Sequence, residues 1–386
     1  MSKIALSRES KRLLIGAAIV LVVIVAVAIV TLSQRPEERT LNIYTYDSLL
    51  KWGYDEASGI GTPYEEIYAA VFSAFEQEHG ITIQVTEFES TGTMIEQLVR
   101  EKESPIADVV IGIDNLDILT LKEANVLEPY TPATLNNIPT RLVTALDSEH
   151  YVVPYDFGLI ALVYDAVALD AENYPELRAD FTLADLTMDK YRSTFVVENP
   201  LTSSPGKSFL LWQIGIYEKV LHQPWQDWWR AMKEEDGVFI APGWTEAFIH
   251  VFFEETDDHL VVSYGTDLAY NAFFEYESNA HITLSHEQGN TYSWFQVEGL
   301  GLINGAQQGK LAKQFIDWFL TEPVQIYFPT NNWMFPANQY VELPPVFVEH
   351  AVHPNDVSLV NTLFTQEEIA TNLKDWLQEW QTIVVG

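Results

Sequence analysis

Residues 261–270 read VVSYGTDLAY, setting two phenols, Tyr264 and Tyr270, on either side of the carboxylate of Asp267 with no basic residue in the stretch. Aromatic faces attract cations through the ring quadrupole, more strongly once desolvated, and a flat cationic ring also stacks on them. The same residue types recur where other strand-like runs end. LNIYTY closes on Tyr46-Asp47-Ser48 with Trp52 close behind, ADVVIGI closes on Asp114-Asn115, and STFVVEN runs into Thr202-Ser203-Ser204-Pro205-Gly206. In open α/β sheets, ligands collect beyond the carboxyl ends of the strands. Aromatics, hydroxyls and carboxylates gathered there suit an organic cation with a flat ring. The same rings also serve as ordinary half-buried core.

Two hydroxyl-rich loops add a second element. ESTGTMIEQL, 89–98, offers Ser90, Thr91 and Gly92 at a helix start, and SSPGKSFLLW, 203–212, offers Ser203 and Ser204 at another. Free N–H groups at helix N-termini bind anions, or are simply capped by their own side chains. Enzymatic signatures are missing: there is no G-x-S-x-G elbow, Walker loop or dinucleotide fingerprint. His286-Glu287 opens like H-E-x-x-H but continues Gln288-Gly289-Asn290, and His350 and His353 flank Pro354, which favours a structural role over a metal site. No catalytic residue, metal site or cofactor is expected.

Positioning these groups falls to alternating strand-like and helix-like stretches, the pattern of an α/β fold. Strands are expected at 41–46, 81–88, 107–113, 151–165, 193–199 and 259–264. Thr62-Pro63-Tyr64-Glu65 reads as a capping box opening a helix through about Glu78. Two lobes joined by strands that cross between them fit this length, with 41–153 and 292–330 in lobe 1 and 154–291 and 331–386 in lobe 2. The stretch 53–63, GYDEASGIGTP, reads as a lid or a surface loop.

Acidic residues outnumber basic ones 55 to 21, a net charge of −34, so the basic patch that nucleic acid demands is not supplied. Cysteine is absent, which removes disulfides, thiolate metal sites and lipidated cysteine. Lys3, Arg8, Lys11 and Arg12 precede an uncharged run, 13–32, long enough to span a bilayer core. The reading is a cytoplasmic stub at 1–12, a transmembrane anchor or signal-anchor at 13–32, a tether at 33–40 and a binding domain outside the cytoplasm. Ala26-Val27-Ala28 would also suit a cleaved signal peptide, although the apolar run exceeds the usual length.

YTYDS with the nearby WG, ADVVIGIDN, VPYDFGLIALVYD, LTSSPGKSFLLW, GWTEAF, SYGTDLAY, NNWMFP and the closing EWQ together resemble the thiamine-binding proteins of bacterial ABC importers. The likeness runs from about Leu41 to Gln381. It implies a type II periplasmic-binding-protein fold, two α/β lobes closing on thiamine or a thiamine phosphate, with an ABC permease and its ATPase as partners. Carried over by motif, Tyr46, Trp244, Tyr264, Tyr270 and Trp333 line the cleft, with Ser203 near any phosphate. Two departures bear on that phosphate. Gly265-Thr266-Asp267-Leu268 stands where the family shows Thr-Thr-Ser-Pro, and Ser90-Thr91-Gly92 follows Glu89 where it shows an acid and glycine. Asp267 would repel a phosphate, whereas Lys207 beside Gly206 would attract one. On the same scaffold a polyamine or Fe(III) is the alternative ligand.

Overall fold

The computed structural model describes residues 39–233, 237–276 and 279–386. The run 13–32, expected to anchor the chain, lies outside the described residues, as do the stub before it and most of the tether. Among the described residues no helix is long and apolar enough to cross a membrane.

Eight strands carry the fold: β1 Thr40–Tyr46, β2 Thr82–Phe88, β3 Val109–Asp114, β4 Val152–Asp165, β5 Phe195–Glu198, β6 Phe239–Ala241, β7 Leu260–Tyr264 and β8 Phe295–Ile303. They lie in the order β2-β1-β3-β8-β4-β7-β5-β6. β1 pairs in parallel with β3, and β7 and β6 in parallel with β5. β8 runs antiparallel to both β3 and β4, and β7 antiparallel to β4. The six residues of β3 are all buried, as a strand flanked on both sides and covered on both faces requires.

Two large hydrophobic cores flank this arrangement. Leu41, Ile43, Val109 and Ile111 belong to the first, together with Tyr155, Phe157 and Leu159 of β4 and Val297 and Leu300 of β8. Ile160, Leu162 and Tyr164 of the same β4 join the second, with Phe195, Trp212, Trp229 and Leu260. β4 therefore passes from one core to the other between Leu159 and Ile160. Trp333, Phe335 and Phe347 pack in the first core, whereas the sequence reading grouped 331–386 with the second lobe. Only the final stretch, with Val360, Phe364, Trp376 and Trp380, joins the second.

Most of the expected strands are present within two residues at each end. β8 is not anticipated by the sequence reading, because Glu298, Gly299 and Gly301 interrupt the apolar pattern of FQVEGLGLI. A helical stretch does open at Tyr64, but its N-cap residue is Pro63 and no side chain caps it, so the capping box expected from Thr62 does not form. The 53–62 loop is a small hairpin, Tyr54–Asp55 against Ile60–Gly61. Asp55 accepts from the amides of Ala57 and Ser58 at its turn.

Candidate ligand-binding site

Five helices present their first turns, or the loops before them, toward the carboxyl ends of the strands: α1 Thr91–Glu101, α2 Asp117–Glu123, α3 Ser204–Ile214, α4 Trp244–Phe252 and α5 Asp267–Phe273. Ser90 caps α1 by accepting from the amide of Thr93 at 3.3 Å, and Ser203 caps α3 by accepting from Gly206 at 3.5 Å. Between them opens a cleft lined from both cores.

Ten of the residues singled out in the sequence line this cleft: Tyr46, Trp52, Ser90, Thr91, Ser203, Ser204, Trp244, Tyr264, Tyr270 and Trp333. Two do not. Asp114 is fully buried and accepts from the amides of Leu116 and Asp117 at 2.8 and 2.7 Å, turning the chain into α2. Gly92 faces the loop before α3, its amide donating to the carbonyl of Thr202 at 3.0 Å. Lys207, expected to draw a phosphate, is likewise outside the lining. It is buried and salt-bridged to Asp117, which also accepts from Ser204 Oγ at 2.7 Å.

The rings meet mostly edge to face. Trp52 lies 5.4 Å from Trp244 at 80° and 6.4 Å from Tyr270 at 69°, and Tyr270 lies 5.1 Å from Trp333 at 84°. Such contacts lock ring orientation, since edges are positive and faces negative. Two of the indoles are also tethered by a polar bond. Trp244 Nε1 donates to Ser263 Oγ at 2.9 Å, and Trp333 Nε1 to the Trp52 carbonyl at 2.8 Å. Trp333 adopts φ 55°, a left-handed conformation unfavourable for a bulky side chain. Thr266 Oγ1 holds it there by donating to its carbonyl at 2.6 Å.

The Tyr46 ring lies against β3 because residue 112 is glycine. A Cβ at Gly112 would fall 2.4 Å from the ring, and its φ of +100° also suits glycine. Behind Tyr46 runs a buried polar network. Tyr155 donates to Glu298 Oε2 at 2.7 Å, Gln296 donates to Glu298 Oε1 at 2.7 Å and to the Tyr264 hydroxyl at 3.1 Å, and Asn332 Nδ2 reaches Asp156 at 2.7 Å. Burial pushes Asp156 well above the usual carboxylate range, and the neighbouring charge of Glu298 adds to it; burial raises Glu298 too. Asp267, at the start of α5, accepts from Ser263 Oγ at 2.5 Å and is raised by burial to about 7.

The rest of the lining includes Asp47, Ser48, Glu89, Gly243, Phe248, Asp267, Glu298, Asn332 and Met334. Of these, the sequence reading weighed Asp267 and did not place Glu298 or Asn332. A lone glutamate in the apolar run FQVEGLGLI was the available signal for Glu298, because an acid buried in a strand needs a purpose. The lining carries four carboxylates, Asp47, Glu89, Asp267 and Glu298, and no lysine, arginine or histidine. Three indoles, three phenols and acidic groups without a basic partner in the lining are chemically suited to a flat cation.

The model of the bacterial extracellular solute-binding proteins matches residues 70–355. The chain belongs to that family. This solute-binding protein is 28% identical to the thiamine-binding periplasmic protein of Salmonella typhimurium over 345 residues, covering 89% of this chain and 93% of that protein. It is 29% identical to the Escherichia coli thiamine-binding periplasmic protein over 348 residues, with the same coverage. Among solved structures, a periplasmic thiamin binding protein superposes with a TM-score of 0.71 at 25% identity, covering 90% of this chain and 98% of that one. The mixed α/β architecture is that of the type II periplasmic binding proteins.

Proposed function

We propose that this solute-binding protein captures thiamine in the cleft between its two cores and delivers it to a membrane permease driven by an ABC ATPase. The observation that carries the reading is the aromatic enclosure formed by Tyr46, Trp52, Trp244, Tyr264, Tyr270 and Trp333 over a lining whose only charges are acidic. Thiamine's thiazolium is a fixed cation and its aminopyrimidine is flat, so indole and phenol faces can stack on both rings. Carboxylates behind the rings balance the charge without needing to titrate the ligand. The relatives named thiamine-binding support the same ligand. The cleft serves capture rather than catalysis, and residues 13–32 hold the binding domain outside the cytoplasm against the membrane that houses the permease.

Two lobes built on the two cores would close by bending β4 and β8 where they cross. The packing of Trp333 and Phe347 in the first core supports moving 331–359 into lobe 1. The four lining carboxylates also suit a polyamine, which needs charge but no ring faces. Calorimetric titration of the detergent-solubilised full chain with thiamine, spermidine and Fe(III) citrate tests the proposal. Tight binding of thiamine alone supports it. Tight binding of spermidine or iron with silence toward thiamine overturns it.

A further inference from the structure

Resting on the thiamine reading, we infer that the cleft takes the unesterified cation and discriminates against its phosphate esters. Stacked in the aromatic enclosure, a ligand would direct its hydroxyethyl arm toward one of the polar ends, and the hydroxyl-rich end lies between Ser90 and Ser203. Both serines are committed as caps, Ser90 to the amide of Thr93 and Ser203 to that of Gly206, so the donors that usually cradle a phosphate at helix N-termini are partly consumed.

The surrounding charge has the wrong sign. Glu89 precedes Ser90 in the lining, and Asp47 lines the same cleft. Glu246, in the first turn of α4, reaches back so far that a Cβ on Gly243 would fall 2.9 Å from its Oε2. Burial raises the Asp47 carboxyl, and the Glu246 charge raises it further, which places the two acids within electrostatic reach. Two cations lie near this end: Lys51, whose charge lowers the Asp47 carboxyl, is paired with Glu87 at 2.5 Å, and Lys207 is spent as well. Burial alone would lower its pKa, but Asp117 and Asp114 beside it raise it above its usual value, so it stays charged and paired inside the protein. A phosphate dianion at this end would meet carboxylates whose neighbouring cations, Lys51 and Lys207, already pair with Glu87 and Asp117, whereas a hydroxyl would meet only hydrogen-bonding groups.

The experiment is calorimetric titration of the detergent-solubilised full chain with thiamine, thiamine monophosphate and thiamine diphosphate, at low and at high salt. Thiamine should bind about tenfold or more tighter than the monophosphate at low salt, with the diphosphate weaker still and the gaps shrinking as salt screens the acids. Glu246→Gln, which removes a charge outside the lining, should tighten the monophosphate more than thiamine. A monophosphate or diphosphate that binds as tightly as thiamine would overturn the inference while leaving the thiamine reading in place. Silence toward all three overturns both.

Discussion

The amide of Gly92 donates to the carbonyl of Thr202 at 3.0 Å, joining α1, whose Met94, Ile95 and Leu98 pack in the first core, to the loop that leads into α3 of the second. The approach is possible because residue 92 has no side chain: a Cβ there would lie 2.7 Å from Thr202 Cα and 2.9 Å from its carbonyl oxygen. The contact sits beside the cleft, flanked by Thr91 and Ser203 of the lining.

Gly92→Val should therefore prop the two cores apart without touching the ligand. Thiamine affinity is expected to fall by on the order of 1–3 kcal/mol, mostly through faster dissociation, with an unchanged far-UV spectrum. Stopped-flow quenching of the cleft tryptophans reads the rate. A dissociation rate like that of the parent protein removes the contact from any role in closure.

Trp244→Ala and Tyr264→Ala each delete a ring face from the enclosure. Each should weaken thiamine binding by on the order of 1–3 kcal/mol. Unchanged affinity in both variants would show that the ligand stacks elsewhere.

Binding should depend on pH with a defined sign. Burial raises Asp267 to about 7, so part of the population is protonated near neutrality. A bound cation favours the charged form, so affinity rises with pH up to about 7 and then levels off. Asp267→Asn should flatten that rise, and titrations in buffers of different ionisation enthalpy should show proton release in the parent protein alone.

Stability of the unliganded protein should run the other way. Neither oxygen of Glu198 meets a partner from another residue among those described, and burial raises the group from 4.5 to about 8. A folded carboxyl with a raised pKa contributes stability that is complete below its unfolded value and lost as pH climbs through its folded one. Melting temperature should fall between about pH 5 and pH 8, and Glu198→Gln should blunt that fall, with on the order of 2 kcal/mol recovered at the alkaline end. A flat melting profile in the parent would contradict the burial of the ionised form.

The Lys207–Asp117 bridge is buried, with side chains 10% and 1% exposed. Lys207→Met leaves Asp117 uncompensated and should cost about 3–5 kcal/mol in urea unfolding, with Asp117→Asn in the same chain restoring much of it. Additive losses in the double variant would mean that the two groups do not interact.

Much was legible in the sequence because local chemistry repeats at the scale of a few residues. Alternating apolar residues fix where a strand can bury one face, so β2 was readable, and the continuous apolar run of β3 suited a strand buried on both faces. Aromatic, hydroxyl and acidic residues at strand ends were readable as chemistry suited to a flat cation, since the ends of parallel strands collect ligands. Ten of the twelve residues named from the strand ends, the hydroxyl-rich loops and the family resemblance line one cleft.

What tertiary structure decided depends on neighbours distant in sequence. Glycines 299 and 301 disguised β8, yet they are there because distant segments of the same chain press on it: a Cβ at Gly299 would lie 2.4 Å from Val152. Lys207 looked free beside a helix start until α2, 90 residues away along the chain, brought Asp117 against it. Asp114 resembled a cleft acid and proved to be a turn acceptor for its own loop. Composition and spacing determined which groups this protein carries and at which ends of which elements. Burial and long-range pairing determined which of them face the ligand, because a charge is free or spent according to what folds against it.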